Sequence, residues 1–127
     1  PDGANLDRVQ VIKGWLGADG KAAERIFDVA WAGERAIDPA SGKLPPVGNT
    51  VDVAAASYQN TIGSEELDVL WSDPEFDPAQ PAFYYVRVLE IPTPRWSTYD
   101  AMRIGVAPVQ PEVLQERAYS SPVWYLP

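Results

Sequence analysis

At 127 residues, with 46% apolar side chains that include five Trp, six Tyr and three Phe, the chain is long enough to bury a core and too apolar to be disordered. A net charge of −8 and a pI near 4.3 set it against nucleic-acid phosphates and anionic membrane surfaces, and no apolar run approaches the roughly 18 residues that a transmembrane segment needs. The absence of His and Cys removes the usual general base near neutral pH, the Ser-His-Asp triad, disulfides, thiolate nucleophiles and the ligands transition metals prefer, so no cofactor is expected.

Pro1 to Asn5 has the composition of a turn and is neither a signal peptide nor a natural start, so the chain is expected to be a fragment of a longer protein. Leu6 to Leu16 alternates as a strand, with Val9, Val11 and Trp15 in its more apolar register. Ala18-Asp19-Gly20-Lys21 holds the Asp-Gly pair that accepts positive φ, which predicts a hairpin into a second strand, Ala23 to Ala32, with Phe27, Val29 and Trp31 facing inward. If a strand that once preceded Pro1 is missing, Leu6 to Leu16 keeps one partner only. Its other edge is then expected to pair with a second copy, giving self-association, or to be covered by the tail.

Asp38 to Asn49 is a Pro- and Gly-punctuated loop. Val51 to Tyr58 reads as a strand, although its Ala run also suits the start of a helix, and Glu65 to Ser72 reads as another. Ala82 to Ile91, AFYYVRVLEI, is the central strand: Phe83, Tyr85, Arg87 and Leu89 lie on one face and Tyr84, Val86, Val88 and Glu90 on the other. With large apolar groups on both sides it is expected to be covered on both, with Phe83, Tyr85, Val86 and Val88 among the most buried residues. Pro92 to Tyr99 is expected outside any sheet because its prolines lack the amide donor. Asp100 to Val106 suits a short strand or turn, Glu112 to Glu116 a helical turn, and Ala118 to Tyr125 an edge strand broken at Pro122. The pattern predicts an all-β fold, an antiparallel β-sandwich with at most a short helical turn, formed as one domain over residues 1–127.

Three groups of residues bear on function. Asp73, Glu75 and Asp77, the tightest part of an acidic stretch that also holds Glu65, Glu66 and Asp68, offer hard oxygen ligands for calcium, but the spacing matches no EF-hand loop and a solvated acidic edge accounts for the same residues. Trp15, Trp31, Trp71, Tyr84, Tyr85 and Trp124 suit either a core or a platform for sugar rings. Arg95, Trp96 and Tyr99 sit on a Pro-braced segment and are the candidate interface or ligand residues.

Four strings, PDGANLDRVQVIKGWL at the start, LPPVGNTVDV at Leu44 to Val53, AFYYVRVLEIPTPRW at Ala82 to Trp96 and ERAYSSPVWY at Glu116 to Tyr125, together resemble the carboxyl-terminal part of the DUF3604 family. These are bacterial proteins of unknown function related to metal-dependent hydrolases of the PHP type. The resemblance implies a longer protein whose amino-terminal barrel carries His and Asp metal ligands, followed by a β-rich end. With no His, this chain carries none of those ligands. The expectation is a non-catalytic accessory domain that packs against or frames the catalytic domain of its parent chain. The alternative is a carbohydrate- or ligand-binding module using exposed aromatics. Substrate and compartment are left open.

Overall fold

The computed structural model describes residues 3–127; the turn expected at Pro1 to Asn5 falls partly on Pro1 and Asp2, outside the described residues. Five strands and one helix follow in chain order: β1 (Leu6–Leu16), β2 (Ala22–Trp31), β3 (Ala82–Pro94), α1 (Trp96–Ile104), β4 (Val113–Tyr119) and β5 (Val123–Tyr125). All pairings are antiparallel and all strands lie in one sheet of order β2-β1-β3-β4, with β5 following β4 along the same edge of β3. The all-β, antiparallel expectation holds. Where a sandwich has its second sheet, this chain has the largely irregular segment between β2 and β3, which makes two isolated bridges, Leu6 with Ser64 and Asp52 with Ser57.

The hairpin forms where Asp19-Gly20 predicts it. Gly20 takes φ +75°, a conformation that costs a residue without Cβ little, and Gly17 and Lys21 close the turn through their backbones. β1 then runs between β2 and β3, paired with both along nearly its whole length. The exposed Leu6 to Leu16 edge expected from the sequence is therefore corrected, and self-association through it has no unpaired ladder to use. The strand that closes its second side comes from residues 82–90, far along the chain, where local reading does not reach.

A bulge at Val9/Gln10 divides the inward set expected on β2. Phe27 lies opposite Val11, whereas Trp31, beyond the bulge, lies opposite Arg8 and so on the other face. Other expectations give way to tertiary context. Val51 to Tyr58 is a turn closed by the Asp52–Ser57 bridge, and Glu65 to Ser72 carries no strand. Glu112 to Glu116 enters β4 instead of a helical turn, and Trp96–Ile104 is a helix instead of a loop and short strand.

Pro92 and Pro94 belong to β3 after all, opposite Gln115 and Val113. The amide of Arg95 points at the carbonyl of Glu112, on the β4 side, so by strand alternation the amide positions of Pro92 and Pro94 face the other side. There β1 has already ended, and no ladder bond is lost.

This end of β3 is buried, with Ile91, Thr93 and Pro94 enclosed. Ile91 and Ile12 are the largest enclosed apolar side chains, joined by Ala32, Leu44, Ala82 and Ala101, while Thr98 and Asp7 are the enclosed polar ones. Val86 is 37% exposed and Phe83, Tyr85 and Val88 are only half-buried, which corrects the expectation that mid-strand is the deepest point. Asp7 is held by several elements at once. Its Oδ2 accepts from Arg8 Nε (3.0 Å) and Gln115 Nε2 (2.9 Å), and Arg35 Nη1 lies 2.8 Å from Oδ1, off the hydrogen-bonding axis, as a charge contact.

Removing methyls from the enclosed Ile91 by Ile91→Ala is expected to cost about 2–5 kcal/mol, and Val86→Ala less than about 1 kcal/mol. Chemical denaturation of the two variants checks this ordering.

Candidate functional site

The register of β1 against β3 decides which side chains share a face: Val11 lies opposite Val86, Lys13 opposite Tyr84, Ile12 opposite Tyr85 and Gly14 opposite Phe83. The face of Val11, Lys13 and Tyr84 is overlain by the segment before β3. Trp71 packs on Phe27 at 5.1 Å between centroids, Phe76 meets Tyr125 edge-on at 4.9 Å, and the Tyr125 hydroxyl donates to Pro78 O at 2.9 Å.

The fastening of this strap is polar. The Lys13 ammonium, its side chain 3% exposed, donates to Asp73 Oδ2 and to the Glu75 carbonyl, each at 2.6 Å, and the Tyr84 hydroxyl donates to the same carboxylate oxygen at 2.8 Å. The Glu75 amide donates to Asp73 Oδ1 at 2.8 Å, so both carboxylate oxygens are occupied. The rings of Trp15 and Tyr84 lie 5.5 and 5.8 Å from the ammonium. Burial works against the ammonium, but the Asp73 hydrogen bond and the field of Tyr84 outweigh it and hold the Lys13 pKa above the ordinary lysine value. Burial likewise pushes the Asp73 carboxyl up, yet the bonds from Lys13, the Glu75 amide and Tyr84 bring it below its usual range. Burial and then the Asp73 acceptor raise the Tyr84 phenol. Sequence reading assigned Lys13 to a strand and did not single it out, because a lone Lys in an alternating strand looks like a surface residue; its burial follows from the strap laid over it.

The opposite face carries an open row of rings. Trp124, Phe83, Tyr85 and Tyr119 follow one another at centroid separations of 5.2, 6.4 and 6.2 Å, with Phe83 and Tyr85 nearly parallel at 10°. Trp124 is 66% exposed and Tyr119 is also exposed. The tip of the Phe83 ring lies against Gly14, where any Cβ would clash with its Cζ and Cε atoms, so the glycine sets the ring's depth. Beside Trp124 the sheet end opens into an apolar cleft of about 450 Å³ walled by Trp15, Leu16, Ala82, Phe83 and Leu126, with Glu24 on its rim. Where the row ends, register places Arg87 opposite Tyr119 and Arg117 opposite Leu89, all on this face. The positive charges of Arg117 and then Arg87 beside the Tyr119 hydroxyl draw its pKa below the ordinary phenol value. Arg87 is itself positioned, its Nε donating to Gln10 Oε1 at 2.8 Å while Gln10 Nε2 donates to Asp28 Oδ1 at 2.7 Å.

The aromatic set expected from sequence thus divides. Trp71 and Tyr84 are on the strapped side, Trp31 is tied by its Nε1 to the Arg35 carbonyl, and Tyr85 and Trp124 belong to the open row. Phe83, Tyr119, Arg87 and Arg117 were missed as site residues. Alternation already put Phe83, Tyr85 and Arg87 on one face, and that was the available signal; the contribution of β4 and β5 required the pairing.

Arg95, Trp96 and Tyr99 stand at the start of α1. Arg95 caps it in extended conformation without a side-chain bond, and Trp96 is 67% exposed, with Met102, Ile104, Val106 and Val109 exposed nearby in sequence. Thr98 and Ala101 anchor the inner side, the Thr98 hydroxyl donating to the Glu112 carbonyl at 2.8 Å. Asp73, Glu75 and Asp77 are not brought together. Asp73 turns in to Lys13, the Glu75 carboxylate meets Arg25 at 3.4 Å, and Asp77 Oδ1 accepts from the Ala79 amide, so among the described residues they form no metal-ligating group.

Lys13→Met is expected to cost about 3–5 kcal/mol at neutral pH, because it strands the buried Asp73 charge, while Lys13→Met with Asp73→Leu costs less than that single change. The pair's contribution is present between the two pKa values. It is lost as pH falls below 3.8 through the lowered value of Asp73, and as pH rises above 10.5 through the raised value of Lys13. Denaturation profiles of wild type and double variant should therefore converge at the acid end.

The family model described as "Protein of unknown function (DUF3604)" matches residues 1–127. No curated protein and no solved structure matches the chain.

Proposed function

The chain belongs to the DUF3604 family, and from that premise we propose that it is a non-catalytic accessory β-domain of a metal-dependent hydrolase of unknown substrate, docked against the catalytic part of its parent protein. The observation that carries this reading is the density of exposed apolar side chains along α1 and just after it: Trp96, Met102, Ile104, Val106 and Val109 present large side chains to solvent within fourteen residues of chain. Trp and Arg dominate the energetics of protein interfaces, and Arg95 and Trp96 sit together here on backbone stiffened by Pro94, which reduces the entropy lost on docking. Chemistry supports the non-catalytic part, since neither imidazole nor thiolate is available to hold a catalytic transition metal. A second reading, a ligand-binding module, is favoured by the separate row of rings on the open sheet face.

A photo-crosslinking residue placed at Trp96 in the natural protein that carries this chain is expected to join a segment outside residues 1–127. The same residue at Leu70, fully exposed on the segment before β3, is expected to join none. Residues 1–127 alone are expected to retain no stoichiometric zinc after dialysis against chelator. A crosslink pattern at Trp96 no different from that at Leu70, or zinc held by the isolated chain, overturns the proposal.

A further inference from the structure

The open face joins two features that seldom meet on an acidic protein: a line of half-exposed rings and, at one end of it, a pair of uncompensated guanidinium groups. Arg8, Lys13, Lys21, Arg25 and Arg35 each lie within ion-pair reach of an Asp or Glu, whereas Lys43, Arg87, Arg95, Arg103 and Arg117 have no such partner among the described residues, and of these five the strand register sets Arg87 and Arg117 side by side on one sheet face. Their neighbours are the neutral Gln10 amide and the Tyr119 phenol. In a chain of net charge −8 this is a local reversal of sign.

We propose that this face binds an acidic oligosaccharide, with sugar rings laid along Trp124, Phe83, Tyr85 and Tyr119 and a carboxylate or sulfate on a sugar at one end held by Arg87 and Arg117. The ring separations of 5.2, 6.4 and 6.2 Å are on the scale of one sugar residue, and ring faces take the C–H surfaces of sugars in the same way as they take other apolar contacts. The fork of a guanidinium matches the two oxygens of a carboxylate or sulfate. Arg87 has its Nε already committed to Gln10, which fixes the plane of the fork and leaves its terminal nitrogens to the ligand. Both arginines stand at the Tyr119 end, and the Trp124 end opens into an apolar cleft, so the site suits a chain with its charge at one end. A polyanion charged at every unit, such as a nucleic acid, is disfavoured by the net charge of the protein. That net charge also means general electrostatic attraction works against the proposed ligand, so affinity has to come from the row and the two arginines.

Affinity electrophoresis of the natural protein in gels containing a xylan sparsely substituted with glucuronic acid, a xylan sulfated to the same low density, or a neutral arabinoxylan tests this. Retardation is expected in at least one acidic gel and at least tenfold less in the neutral one; whichever acidic gel retards more identifies carboxylate or sulfate as the recognised group. Trp124→Ala should weaken the acidic interaction at least tenfold, with Trp124→Phe restoring most of it. Arg87→Gln combined with Arg117→Gln should remove the preference for acidic over neutral chains. Trp124 and Arg117 are exposed, so Trp124→Ala and Arg117→Gln leave the core intact; Arg87 is half-buried and bonded to Gln10, so thermal unfolding of every variant is compared with wild type, and Arg117→Gln alone should already reduce the preference for acidic chains. Equal mobility in all gels, equal retardation in neutral and acidic gels, or retardation indifferent to Trp124 and the arginine pair overturns the inference. Trp96→Ser should leave retardation unchanged; if it abolishes retardation while Trp124→Ala does not, the glycan site is wrongly placed. Docking at α1 is judged separately by the crosslink at Trp96.

Discussion

The pairing register of β1 with β3 is the constraint on which the two faces of this molecule depend. Because side chains alternate with period two, setting Lys13 opposite Tyr84 also sets Gly14 opposite Phe83. A slip of one residue would exchange these environments, sending the ammonium to the open face and the ring of Phe83 against the strap. Two devices resist such a slip from opposite sides of the sheet. Lys13 must meet Asp73 on one face, and on the other only a residue without Cβ lets Phe83 lie against the backbone.

A strap does less for itself than a second sheet would. A sheet carries its own ladder of backbone bonds, whereas the segment before β3 has few, and its attachment rests on side chains: Trp71 on Phe27, Phe76 on Tyr125 and Lys13 on Asp73. A buried ion pair is a weak source of net stability, since desolvation consumes most of the attraction. Its use is geometric. With Asp73 accepting from Lys13, Tyr84 and the Glu75 amide, few other placements of the segment satisfy all these groups, so the pair fixes where the strap lies more than how strongly it holds.

Elements with local signals were legible in the sequence. Leu6–Leu16 and the Asp19-Gly20 hairpin show period-two alternation and turn chemistry, and AFYYVRVLEI could only be a strand. The partition of β3 into a Phe83, Tyr85, Arg87 face and a Tyr84, Val86, Val88 face was also available from alternation alone. What was not legible came from contacts distant in sequence. Val51 to Tyr58 and Glu65 to Ser72 have strand-like composition, but a strand needs a partner edge, and neither segment pairs with a strand of the sheet: the first closes on itself through Asp52 and Ser57, and the second reaches the sheet through side chains such as Trp71. Trp96–Ile104 reads as a loop followed by a short strand or turn because Pro92 and Pro94 precede it, yet those prolines stand where β3 keeps β4 on one side and has lost β1 on the other, and a helix can begin directly after them. Of the candidate site residues, Trp96 is exposed as its loop context suggested. The row from Trp124 to Tyr119 draws on two strands that sequence reading had joined as one.

Charge distribution completes the account, because an acidic chain has few cations to place. Arg8 and Arg35 converge on the enclosed Asp7, where Gln115 of β4 also arrives, so that β1, β4 and the segment after β2 are tied at one carboxylate. Lys13 fixes the strap, and Lys21 and Arg25 meet Asp19 and Glu75 near the surface, where such pairs contribute little. The buried pairs therefore account for the cations that shape the fold. Arg87 and Arg117 lie outside this scheme: no carboxylate compensates them, and one is oriented by an amide whose other end is held by Asp28. Orienting a side chain through a second residue costs conformational entropy that a surface arginine does not otherwise give up. Arg8 and Arg35 meet that cost with a carboxylate in return, whereas Arg87 meets it without one, on the face the strap leaves open.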